Sequence, residues 1–194
     1  MKKIIVAIAL FTHFFVTAQD NPLEDIIKKE IHYNDEDYYD FDLKILPNNA
    51  KRALVAMAKY NGPHPSGEVF TYDLIVLLID ADTHKIMDRY EEPEAYVSDA
   101  YYLAHVRLDV ANYAVADTIR AFGVRSEFRG SSPVFPSWGT SIALFSINNN
   151  KITQILEDYP MDDGLGERDM GSCTYDGEEL NSILILQKEK TNGY

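Results

Sequence analysis

Phe70-Thr71-Tyr72-Asp73-Leu74-Ile75-Val76-Leu77-Leu78-Ile79 is the stretch that decides the fold. Its aliphatic, β-branched and aromatic residues run on with almost no polar alternation, which marks a strand covered on both faces. Asp80-Ala81-Asp82-Thr83-His84-Lys85 then supplies turn chemistry and leads into Ile86 to Tyr90, so the two segments predict a hairpin. Ser141 to Ile147, Asn148-Asn149-Asn150 and Lys151 to Leu156 repeat the arrangement and predict a second.

Working outward, Ala53 to Lys59 is a short apolar run and Asn61 to Gly67 a dense turn segment. Ala104 to Tyr113 alternates in part. Ile119 to Phe128 reads as a strand with Gly123 inside it, a bulge or a close approach. Gly130 to Gly139 and Met161 to Ser172 read as loops, and the last strands fall around Thr174-Tyr175 and Ile183 to Lys188. About eight to ten strands on mostly short connections predict an all-β, predominantly antiparallel domain over 53–194. The two hairpins share an acidic-aromatic ending, Asp88-Arg89-Tyr90 and Glu157-Asp158-Tyr159, as two propeller-like blades would. A single sandwich or curled sheet is the simpler expectation.

The N-terminal part differs. Lys2 and Lys3, the apolar run Ile4 to Phe15 and the small-residue exit Val16-Thr17-Ala18 read as a signal peptide over 1–18, cleaved before Gln19. About 13–15 apolar residues fall short of the roughly 20 that a spanning helix needs. No lipid-modifiable cysteine follows the cleavage point, so the expectation is an exported chain, periplasmic or extracellular, with no membrane attachment. Asn21-Pro22-Leu23-Glu24 resembles a capped helix start, and Leu23, Ile26, Ile27 and Ile31 then share one face. This predicts one short helix over about 22–32. The acidic, tyrosine-rich Asn34 to Asp42 that follows reads as a solvated connecting segment, so that 19–52 precedes the β domain.

Composition narrows the function classes. The formal charge of −13 becomes two units more negative when Lys2 and Lys3 leave, which repels phosphate backbones and anionic lipid. Nucleic-acid binding is not expected, while a basic protein or small-molecule partner suits the charge. Cys173 is the single cysteine, so no intramolecular disulfide is available. It reads as a small buried hydrophobe rather than a nucleophile.

Candidate chemistry is sparse. His105, Arg107 and Asp109 stand at i, i+2 and i+4, so on a strand they share a face, where a His and a carboxylate support acid–base work and Arg107 holds an anion. The competing reading is the polar face of an antiparallel sheet. Trp138, between Pro136 and Gly139, is a candidate binding platform or a core plug. Asp35, Glu36, Asp37 and Asp40 lack the glycine and bidentate glutamate of a calcium loop, and Asp80-Ala81-Asp82 is explained by its turn. No cofactor or metal is expected. No pair of carboxylates is singled out for glycoside hydrolysis.

Leu78-Ile79-Asp80, Ser98-Asp99-Ala100, Arg120 to Arg125, Gly130-Ser131-Ser132, Gly166 to Cys173 and Thr191-Asn192-Gly193-Tyr194 carry a resemblance. Over about residues 73–194 the chain resembles a group of exported bacterial proteins of unknown function. The resemblance implies a fold but no activity or site. The functional expectation is an exported non-catalytic binding protein of the cell envelope; the alternative is a carboxylate-based hydrolase acting on envelope or extracellular saccharide.

Overall fold

The computed structural model describes residues 22–63, 69–116, 119–169, 171–172 and 174–185. The expected signal peptide, His64, Cys173 and the closing 191–194 stretch lie outside the described residues.

One helix, α1 (Pro22–Glu30), precedes nine strands. They are β1 (Tyr38–Leu46), β2 (Asn49–Pro63), β3 (Phe70–Asp80), β4 (Ile86–Ser98), β5 (Tyr101–Ala114), β6 (Arg120–Gly130), β7 (Ser137–Asn148), β8 (Lys151–Asp169) and β9 (Thr174–Asn181). They form two antiparallel meanders, ordered β1-β2-β3-β4 and β5-β6-β7-β8-β9. The predicted all-β fold with a short N-terminal helix is thus observed. The two hairpins expected around Asp80 and Asn149 lie in different sheets, β3–β4 and β7–β8.

The sheets face each other across one core. Leu54, Leu74, Val76 and Leu78 of the first meet Val106, Leu108, Phe122 and Phe145 of the second. Phe122 and Phe145 stack at 5.5 Å between ring centroids, and Tyr90 meets Phe145 edge-on at 5.0 Å. The other face of the first sheet is buried too. Val55, Met57, Ile75 and Leu77 pack against Leu23 and Ile27 of α1, which explains the unbroken apolar run of β3. Ile26 stays exposed, so the buried helix face is narrower than the spacing predicts.

α1 ends in paired hydrogen bonds, Tyr33 N–H to Lys28 O and His32 N–H to Lys29 O, around His32 at φ 54°. This is a Schellman ending with histidine where glycine is favoured. The hairpin turns behave as their sequences require. Asp80 Oδ1 accepts from the Thr83 amide at 2.8 Å and its hydroxyl at 2.9 Å. Asn149 and Asn150 both take positive φ, as a two-residue primed turn demands.

Two expectations are overturned. The segment read as a solvated connection over 34–42 becomes a strand from Tyr38, paired with β2. Its alternation is genuine: Phe41 and Leu43 pack on the helix side, while Asp40 and Asp42 point at the second sheet. The glycine-bearing loop read over 161–172 is strand as far as Asp169, because aromatic rings lie over its glycines. Of the strand expected at Ile183 to Lys188, residues 183–185 carry no strand and the rest lie outside the described residues.

Candidate functional site

β1 and β5 are joined by side chains rather than by a backbone ladder. Asp40 Oδ2 accepts from the Val106 amide at 2.7 Å, Asp42 Oδ2 accepts from the Leu108 amide at 2.8 Å, and Lys44 Nζ donates to the Leu108 carbonyl at 2.5 Å. The opposite seam is built alike: Asp88 Oδ2 accepts from the Ile152 amide at 2.6 Å. Carboxylates thereby satisfy backbone donors that would otherwise be exposed along a sheet edge.

His105, Arg107 and Asp109 alternate along β5 with the buried Val106 and Leu108, so they do share the face away from the core. His105 and Arg107 meet, but Asp109 does not join them. Arg107 Nη1 donates to Asp40 Oδ2 at 2.7 Å, and Arg107 Nη2 lies 2.8 Å from His105 Nδ1. A guanidinium has only donors, so Nδ1 is the acceptor in this contact and its 3.4 Å approach to Asp40 is not a second hydrogen bond. Asp109 turns the other way, accepting from Arg125 Nε at 2.8 Å and the Tyr113 hydroxyl at 2.9 Å. Arg107 and Arg125 are direct cross-strand neighbours, and each is matched by its own carboxylate.

Both carboxyls titrate below the ordinary carboxylate range. Burial pushes the Asp40 carboxyl up, but the Arg107 hydrogen bond and the Val106 and Phe41 amides together outweigh it. Burial likewise pushes Asp109 up, and the Ala111 amide, Arg125 and Tyr113 overcome it. Gly123 stands opposite Asp109 as a close approach. A Cβ there would come within 2.6 Å of Ile142 Cδ1 and 3.2 Å of Asp109 Cβ. The extra residues of the local register shift are on β5, at 110–112, and β6 itself is regular there.

Trp138 sits on β7, half-buried, with its ring across Gly164 of β8, where an added Cβ would collide with the indole. It lines a shallow hollow of about 540 Å³ with Tyr102, Phe128 and Arg129. The indole therefore both covers the glycine and borders the hollow.

A more distinctive hollow opens at the other sheet, about 260 Å³ in volume and walled by Tyr39, Tyr60, Phe70 and Tyr72 with Asp35 and Glu36 at its edge. Tyr72 lies 5.2 Å from Tyr39 and 5.8 Å from Tyr60, and Tyr60 lies 6.1 Å from Phe70. Register breaks assemble it. Tyr39 is the extra residue between Tyr38 and Asp40 on β1, and Asn61 is the extra residue before Gly62, whose φ is 100°. On β4 the three residues 93–95 oppose Asp73 alone, with Glu94 at φ 53° and its amide donating to Asp73 Oδ1. Such bulges re-aim side chains, here three tyrosines from three strands onto one point. Tyr39 and Phe70 remain 45% and 48% exposed, so apolar ring faces are left open to solvent.

No known family model, curated protein or solved structure matches the chain. The π faces of the hollow can attract an ammonium or guanidinium, and carboxylates at the edge add to the attraction. Burial, then the neighbouring rings of Tyr39 and Tyr60, push the Tyr72 phenol up, so Tyr72 stays neutral over the physiological range. Among the described residues no group of three or more His, Cys, Asp or Glu is arranged to hold a metal ion. Asp37 is bonded to Asn34 Nδ2 and Asp40 is committed to the seam, so the acidic stretch does not gather its carboxylates. Sequence reasoning saw its tyrosines only as composition; Tyr60, Phe70 and Tyr72 join them through register, which no local signal carries.

Proposed function

We propose that the protein is an exported, non-catalytic binding protein of the cell envelope that takes a basic segment of a partner into the tyrosine hollow. The observation that carries this reading is the set of four rings walling one cavity beside Asp35 and Glu36. The formal charge of −13 supports it by steering a cationic partner toward the surface. The rival, a carboxylate-based hydrolase, calls for an acid held protonated near neutral pH. The part-buried Asp40 and Asp109 are instead held ionised by Arg107 and Arg125.

A labelled hexalysine peptide, titrated at several salt concentrations, tests the proposal. Cation–π contacts are worth about 0.5–2 kcal/mol, so Tyr39→Leu and Tyr72→Leu should each weaken binding by roughly threefold to thirtyfold at fixed salt. Binding that follows salt alone and ignores both substitutions would reduce the attraction to unspecific charge and overturn the reading.

A further inference from the structure

At the opposite end of the first sheet lies a cleft of about 520 Å³, between the β1–β2 and β7–β8 turns and the β5 bulge at Val110 and Asn112. Its floor is apolar, formed by Leu78, Phe122 and Ile147. Its rim carries amides from Asn49, Asn112, Asn149 and Asn150, and two arginines, Arg52 and Arg120. No acidic residue lines it among the described residues, in a chain with 31 Asp and Glu against 18 Lys and Arg.

The two arginines differ from the three ion-paired ones among the described residues. Arg89, Arg107 and Arg125 each hold a carboxylate within 2.8 Å. Arg52 touches the Met87 thioether, a weak acceptor, at 2.9 Å and faces Asp80 across the β2–β3 ladder, but among the described residues neither it nor Arg120 holds a carboxylate within 4.0 Å. Two arginines without a close ion pair, lining one cleft over an apolar floor ringed by amides, are complementary to a planar anion attached to an apolar body. We infer that this cleft binds a small amphiphilic organic anion, with its carboxylate on Arg52 and Arg120 and its apolar part over Phe122 and Ile147. The inference does not depend on the tyrosine hollow, which faces a ligand of opposite charge at the far end of the same strands.

The test is an amide and arginine-side-chain NMR titration of the protein with hexanoate, hexylammonium and inorganic phosphate. The expected result is saturable shifts with hexanoate at Arg52, Val110, Asn112, Arg120 and Phe122, and none there with hexylammonium. Arg52→Gln and Arg120→Gln should each weaken hexanoate binding about tenfold, as loss of a charge-assisted contact does. Arg168→Gln, on β8 outside the cleft, should leave it unchanged. Equal shifts with hexylammonium would overturn the inference, as would phosphate binding as tightly as hexanoate. So would folded Arg52→Gln and Arg120→Gln proteins that bind hexanoate like the parent.

Discussion

Asp40→Ala tests the acidic seam directly. Asp40 Oδ2 holds the Val106 amide and Arg107 Nη1, both at 2.7 Å, and only 15% of its side chain is exposed. A hydrogen bond to a charged group contributes about 1.5–3 kcal/mol, whereas the ion pair, whose arginine is 38% exposed, adds about 0–1 kcal/mol. Truncation to alanine removes both and strands the Val106 amide, so a loss of about 2–4 kcal/mol is expected. Asp40→Asn keeps an acceptor for that amide and should cost about 1–2 kcal/mol; Arg107→Gln, which leaves the backbone contact intact, about 1 kcal/mol or less. Urea denaturation of the three variants supplies the midpoints, and hydrogen exchange at Val106 reports the local contact. The sign of the pH effect follows from the depressed Asp40 pKa. The stabilisation is present above the unfolded carboxyl value of about 4 and fades as pH falls through the lower folded value. Parent and Asp40→Asn should therefore converge in acid. If Arg107→Gln proves as damaging as Asp40→Ala, the ion pair dominates and the backbone-capping argument is wrong.

Further outcomes are expected elsewhere. His32→Gly relieves a left-handed histidine at the end of α1 and should stabilise by about 0.5–1 kcal/mol, raising Tm by a few degrees in a thermal melt; a lower Tm would refute the Schellman assignment. Gly123→Ala drives a methyl against Ile142 Cδ1 and should cost about 1–3 kcal/mol, with partial rescue when Ile142→Val is added. Denaturant midpoints of the double mutant that merely sum the single effects would count against that contact. Burial, then Glu92, pushes the Tyr90 phenol up to about 12, so its stabilising contribution is whole below about pH 10 and is lost as pH climbs through the folded value. Tyr90→Phe should flatten the alkaline limb of the stability profile followed by circular dichroism, and an unaltered limb would show that Tyr90 does not contribute to it.

Sequence reading reached the parts of the fold where pattern and environment agree. β3 declares itself because both faces are buried, and the Asp80 and Asn149 turns because their side chains and φ values are local matters. β1 is hidden because its acidic residues look solvent-facing, although Phe41, Leu43 and Ile45 alternate with Asp40, Asp42 and Lys44. Those charges face a backbone edge, an environment that composition does not reveal. The C-terminal half of β8 was missed for a related reason. Gly164 and Gly166 look like loop residues until Trp138 and Tyr175 are seen lying across them. The shared face of His105, Arg107 and Asp109 was legible; their division between Asp40 and Arg125 was not, since both partners come from other strands.

The two seams also bear on the order of folding. Within each sheet every strand pairs with its neighbour in the chain, whereas the seam contacts of Asp40, Asp42 and Asp88 join residues 64 to 67 positions apart. Loop closure disfavours such distant contacts early, so each meander is expected to assemble before the seams fasten. Interactions that form after the rate-limiting step act on escape from the native state. Stopped-flow chevrons of Asp40→Asn should then show faster unfolding with a nearly unchanged refolding limb. On that account the acidic seams set how long the protein survives once folded, a property of direct use to a chain that holds itself together without a disulfide of its own.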